Sequence, residues 1–187
     1  MLPNNNLVWI DLEMTGLEET HVIIEIASLI TNSTLDILAE GPEIVIGRNS
    51  NELVEINEWS KQQHTKSGLL KKVSQSNIKI EEAEFLTLDF IKQWVEPGKS
   101  PLCGNSISTD RRFIRKEMVH LDEFLHYRLI DVSTIKELVS RWYPNTEPPQ
   151  KKGSHLAMQD IKESIEELKW YRENIFMRKP RNKPKNN

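Results

Sequence analysis

The chain has 187 residues, of which 37% are apolar and 28% charged. This describes a globular domain long enough to bury about 70% of its unfolded surface without disulfides. Five of the 25 basic residues fall in 178–187 (RKPRNKPKNN), leaving 20 basic against 28 acidic side chains elsewhere, a net of −8. An acidic body argues against a long-polymer binder that neutralises many phosphates on a broad basic surface. The longest apolar run, VIIEIASLI at 22–30, is broken by Glu25 and too short to span a bilayer, so no membrane segment is expected. MLPNNN at the start resembles neither a secretory signal nor a transit peptide, and the expected location is cytoplasmic. The single cysteine, Cys103, permits no internal disulfide and no Cys-based metal site.

The chain opens with three strand-like runs, Leu7–Met14, Val22–Thr31 and Ile37–Ile46, whose short polar links favour an antiparallel meander. The first run holds two acids where a buried strand normally has none. Val8, Ile10, Leu12 and Met14 take one face, so Asp11 and Glu13 share the other. An edge strand with its acids in water would accommodate this pair; a buried strand would need a bound cation to offset the cost. Residues 50–73 are mixed and predict short helices. Glu81–Val95 predicts a helix with Ala83, Leu86, Phe90 and Trp94 on one face, ended by Pro97 and Gly98. A short strand at Pro101–Cys103 leads through Gly104 and Asn105 into a helix starting near Ser108 or Thr109. A further strand, Tyr127–Ile130, runs into a helix after Asp131 with Val132, Ile135, Val139 and Trp142 in register. The last helix is expected from His155 towards Phe176, presenting Ala157, Ile161, Ile165 and Leu168. This order predicts a mixed α/β sheet, three antiparallel strands and then parallel ones, flanked by helices. One domain is expected over 1–177, with 178–187 a disordered basic tail.

Two more acids stand at helix starts. Asp110 has Phe113, Ile114 and Glu117 three, four and seven residues on, which turns it inward, although an acid in a first turn also complements the helix dipole. Asp160 flanks the Ala157 and Ile161 stripe, where it could reach the sheet edge, although alone it reads as a solvated helix acid. Four carboxylates converging on one sheet end suit two hard cations such as Mg²⁺ or Mn²⁺, which bind oxygen and together hydrolyse phosphodiesters. This chemistry also needs a general base, and His155, five residues before Asp160, can face the same site without being a ligand; taken alone it reads equally as a surface or helix-capping histidine.

D-x-E at 11–13, GNSISTD ending at Asp110, and H-x4-D from His155 to Asp160 resemble, in order and spacing, the three motifs of the DEDDh family of 3′-to-5′ exonucleases. WIDLEMTGL, IIEIASLIT, HTKSGL, KSPLCGNSI, DRRF and HYRLIDVSTIKEL resemble its oligoribonuclease group across roughly residues 7–172; the connection at 144–152 and the tail look less familiar. The resemblance implies an RNase H-like fold and two metal ions held by Asp11, Glu13, Asp110 and Asp160. It also implies a homodimer that degrades very short single-stranded RNA, dinucleotides above all, to 5′-mononucleotides. His155 would deprotonate the attacking water. Leu17 would wedge against a base, Trp59 and His64 would lie near the substrate, and Ser106 would approach the scissile region. Tyr127 and Arg128 would reach into the partner's site, where Arg128, with Ser133 and Thr134 at a helix start, would cap the 5′ phosphate. Without the resemblance Trp59 reads equally as core, Leu17 as a turn residue, His64 as a surface group and Ser133 as a helix cap. Other functions compatible with the sequence are a DNA-proofreading or tRNA-trimming exonuclease of the same fold and a non-catalytic nucleic-acid-binding module.

Overall fold

A computed structural model describes residues 5–149 and 156–176. Five strands form one sheet in the order β3-β2-β1-β4-β5. The strands are β1 (Leu7–Met14), β2 (Ile23–Thr31), β3 (Ile37–Val45), β4 (Leu102–Gly104) and β5 (Leu129–Asp131). β1 pairs antiparallel with β2, and β2 with β3; β1–β4 and β4–β5 are parallel. The expected mixed sheet is present, with the acid-bearing strand at its centre.

Side-chain alternation along β1 feeds two cores. Val8, Ile10 and Leu12 pack with Ala83, Leu88, Ile91, Phe113 and Ile114, from α3 (Ile80–Lys92) and α4 (Ile107–Glu117). Trp9 points the other way, into Val132 and Val139 of α6 (Val132–Trp142) and Ala157, Ile161 and Ile165 of α7 (Ala157–Tyr171). Its indole donates to the Thr31 hydroxyl at 3.0 Å, so even this buried N–H is satisfied. Asp11 and Glu13 share the Trp9 face and lie beneath the start of α7. β1 is therefore a two-sided interior strand, and the edge-strand reading of its acids does not apply.

The remaining helices are α1 (Glu58–Lys66), α2 (Leu69–Gln75) and α5 (Val119–Phe124), and α7 ends in a π-helical turn at Arg172–Phe176. Asn57 caps α1 by accepting from the Ser60 N–H at 2.7 Å. Two sequence expectations differ from the structure. The inward face of α3 is Ala83, Glu84, Thr87, Leu88 and Ile91, while Leu86 is exposed. Glu84 is buried because it accepts from the Leu121 N–H at 3.0 Å and faces His120 at the start of α5, a helix too short to register as a periodicity. Tyr127 and Arg128 precede β5 instead of opening it. His155 and the tail 178–187 lie outside the described residues. Among those described, no helix is long and apolar enough to cross a membrane.

Candidate active site

The acids meet where β4 stops short. β4 pairs with β1 only at Val8 and Trp9, so the β1 edge beyond has lost its strand neighbour. There the Leu12 N–H donates instead to Asp110 Oδ1 at 3.1 Å, which fixes the α4 carboxylate against the strand. Asp110 is buried, as the spacing to Phe113 and Ile114 predicts. From the opposite layer α7 brings Asp160 over the other face. One oxygen from each of Asp11, Glu13 and Asp160 lies within 4.8 Å of the other two. Asp110 stands beside this trio, close enough to Glu13 to repel it, but outside the set of three.

Crowding acids in an interior raises the pH at which they ionise. Burial, then Asp160, Glu25 and Asp110, push Glu13 up from 4.5 to about 8. Burial also lifts Asp110 from 3.8 to about 7, against the pull of the Leu12 N–H and with a push from Asp131. Such a set of hard oxygen donors, held together against their mutual repulsion, fits a divalent cation such as Mg²⁺ or Mn²⁺. Asp11, Glu13 and Asp160 would hold it, with Asp110 adjoining.

Glu25 is the acid the sequence reading passed over. It pairs across the strands with Glu13, is 1% exposed, and accepts a hydrogen bond from the Ala157 N–H at the first turn of α7. Burial and Glu43 raise its pKa. The signal was an acid within the apolar run 22–30.

A cleft of about 430 Å³ opens beside Glu13 and is lined by Leu17, Trp59 and His64 together with Met14, Gly16, Asn57 and Ser60. Leu17 and Trp59 are more than half exposed, apolar surfaces at the cleft. His64 is buried; its Nε2 donates to the Met14 carbonyl at 2.9 Å, and its Nδ1 faces Glu13 at 3.8 Å. A carbonyl only accepts, so Nε2 carries the proton. The Leu17 loop is built for close approach: a Cβ on Gly16 would meet the His21 ring and the Asn57 amide at 2.4–2.5 Å. His21 Nδ1 takes the Glu18 N–H at 2.8 Å, while Arg112 and Lys116 of α4 donate to the Leu17, Glu19 and His21 carbonyls. Arg112 and Lys116 thus brace the loop that carries Leu17, a role that the sequence reading missed.

The other expected residues divide into two places. Ser106, exposed, opens α4 one turn before Asp110, and Ser133 and exposed Thr134 open α6 nearby. Both the N–H and the hydroxyl of Ser133 are engaged by Asp131. Tyr127 and Arg128 are not at this end of the sheet. They precede Leu129, which is level with Leu102 and hence with Val8, so they stand roughly 15–25 Å along the strand direction from Asp11 and Glu13. Tyr127 is 75% exposed and stacked on His126 at 4.4 Å, with the Arg128 guanidinium 5.5 Å from its ring centre. Buried Arg111 anchors this segment by donating to the His126 carbonyl at 3.0 Å.

The exonuclease family profile (RNase_T) matches residues 8–168. Oligoribonuclease from Vibrio cholerae is 55% identical over 175 residues, covering 92% of this chain and 97% of that protein. The chain belongs to the oligoribonuclease family. Its Escherichia coli relative, also an oligoribonuclease, is 52% identical over 174 residues, spanning 92% of this chain and 96% of that one. Fold neighbours of the oligoribonuclease-family chain include E. coli Exonuclease I in complex with a 5cy-dT13 oligonucleotide. That structure has a TM-score of 0.68 and 12% identity, over 91% of this chain and 41% of the larger enzyme. The zinc-bound Exonuclease I–ssDNA complex gives 0.70 at 12% identity, over 92% and 41%. At such identity these two share the fold alone, whereas the family assignment rests on the near full-length relatives.

Proposed function

We propose that this chain is a metal-dependent 3′-to-5′ exoribonuclease that degrades very short RNA, dinucleotides above all, to 5′-mononucleotides in the cytoplasm. The observation that carries the reading is the acid trio at the mouth of an apolar cleft: charge to hold cations beside surfaces on which a base can stack. Two bound Mg²⁺ or Mn²⁺ ions would supply an activated water and stabilise the leaving oxygen. Asp11, Glu13, Asp110 and Asp160 would hold the pair, Asp11 as the ligand shared by both. His155 takes the proton from the attacking water. Leu17 and Trp59 sandwich the terminal base, and His64, fixed by its bond to Met14, borders the same pocket. A loop braced by Arg112 and Lys116 presents Leu17 without a large ordering cost on binding.

The active unit in this proposal is a homodimer. Tyr127 and Arg128 are exposed and lie towards the far end of the sheet from their own chain's acids, which supports a role for them in the site of a second copy. There Arg128 closes over the 5′ phosphate of a dinucleotide above the α6 start, Ser133 and Thr134. The experiment is a length series of RNA and DNA oligomers, with and without a 5′ phosphate, hydrolysed in Mg²⁺ or Mn²⁺ by wild type and Arg128→Ala, alongside sedimentation mass. The expected result is a dimer fastest on 5′-phosphorylated two-residue RNA and slowed by Arg128→Ala. Equal turnover of long DNA by a monomer, indifferent to Arg128, would refute the reading.

A further inference from the structure

The apolar cleft takes its walls from two distant parts of the chain. Leu17 stands in the loop that follows β1, and Trp59 in the first turn of α1. Both are more than half exposed, so burial of their own side chains does little to fix how far apart they stand. Hydrogen bonds join the two segments on either side of Leu17. Before it, the Asn57 N–H donates to the Thr15 carbonyl at 2.9 Å; after it, His21 Nε2 donates to the Glu55 carbonyl at 2.9 Å. The same ring accepts the Glu18 N–H at 2.8 Å on Nδ1, and the His21 N–H returns to the Glu18 carbonyl at 3.1 Å. One imidazole thus pins the residue next to Leu17 and ties it to the approach to α1, 34 residues away.

His21 is 6% exposed, and both of its ring nitrogens are spent. A backbone N–H only donates and a carbonyl only accepts, so Nδ1 offers its lone pair and Nε2 its proton, and neither is left for a cation or an attacking water. The ring packs against Gly16, leaving no room for a Cβ there, and Gly16 and Asn57 both line the cleft. Arg112 and Lys116 tie this loop to α4, whereas His21 ties it to the segment that carries Trp59. Walls that are not held in advance must be ordered when a base enters, at a cost to binding. We propose that His21 is a positioning residue: its imidazole sets the spacing between Leu17 and Trp59, so that a base of the bound RNA enters a gap already formed. This rests on the exoribonuclease reading above. The acids are placed independently of His21, by the β1–β2 pairing and the bond from Leu12 to Asp110.

The test measures kcat and KM separately on two RNA dinucleotides, one intact and one whose 3′-terminal residue lacks its base. Melting and affinity for Mg²⁺ or Mn²⁺ are followed in parallel. His21→Leu fills the place of the ring but makes neither bond, and it raises KM for the intact dinucleotide by about 10-fold, the cost of ordering two walls on binding. Its kcat and cation affinity stay near wild type. KM for the abasic dinucleotide does not change, because no base then enters the gap. His21→Gln carries an acceptor and a donor on one amide and recovers most of the wild-type KM. Equal increases in KM on both substrates, a fall in kcat or cation affinity in place of the KM change, or a His21→Gln protein as impaired as His21→Leu would overturn the assignment. Should His21→Leu not fold, His21→Asn decides. Its shorter amide can accept from Glu18 but falls short of Glu55, so a KM raised on the intact dinucleotide alone supports the proposal, and an unchanged KM overturns it. A wild type inactive on all short RNA defeats the exoribonuclease reading, and this proposal with it; an active wild type whose His21 variants keep a normal KM defeats the positioning role alone.

Discussion

Stripped of cations, the acid cluster should destabilise the fold, and Glu13→Gln is the change that measures this. Glu13 ionises at about 8 in the folded chain against 4.5 ordinarily, so between those values the folded state holds a proton that the unfolded state has lost. Stability therefore falls as pH rises through this window; the penalty is absent below about 4.5 and complete above about 8. At about 1.36 kcal/mol per pH unit the full penalty is roughly 5 kcal/mol. Relaxation of the side chains and the raised ionisation of neighbouring Asp110 reduce this to about 2 kcal/mol, or about 4–8 °C in melting temperature for a domain of this size. The assay is thermal unfolding in chelator at pH 5 and pH 8.5. Wild type and Glu13→Gln should melt together at pH 5, and the variant several degrees higher at pH 8.5. Added Mg²⁺ or Mn²⁺ should raise the wild type at pH 8.5 and leave the variant nearly unmoved. A difference independent of pH, or a variant less stable at pH 8.5, would show that repulsion within the cluster does not govern Glu13.

Asp11→Ala should abolish hydrolysis while leaving a cooperative melt, because it removes the proposed shared ligand; near-normal turnover by the folded variant, or full wild-type activity after exhaustive chelation, would contradict the metal assignment. His155→Ala should slow hydrolysis by about 10²–10⁴-fold with cation affinity unchanged by calorimetry; loss of the cations would make His155 a ligand. Trp59→Ala should cost about 1–3 kcal/mol of substrate binding, read as a rise in KM for short RNA, since it removes one stacking surface of the cleft. An unchanged KM would return Trp59 to a purely structural role.

The layout of the sheet is legible from the residues because its signals are local. Three apolar runs with short links give the meander, and the three- and four-residue spacings after Asp110 set its inward direction. The face of α3 was misread because burial there depends on a distant partner: Glu84 and Thr87 look like surface residues until Leu121 supplies an N–H for Glu84 to bind. Arg111 is similar, a charged residue buried because Asp122 and two backbone carbonyls surround it. The left-handed backbone of Ser106 and the engagement of both Ser133 donors depend on where Asp131 arrives from β5, and no spacing within one segment reports that. Glu25 was visible as an acid, but its position opposite Glu13 follows from strand register, which a linear pattern does not fix.

Placing the acids on β1 also ties the lifetime of the site to that of the whole molecule. β1 is paired with β2 along its length and has a packed helical layer against each face, so Asp11 and Glu13 cannot be displaced from their places without disturbing both cores. Amide protons of the paired part of β1 should exchange with solvent only through global unfolding, in contrast to those of the exposed 126–128 segment. In rising denaturant, catalysis should then vanish in the same transition as the sheet, with no earlier step in which a folded chain has lost its active site.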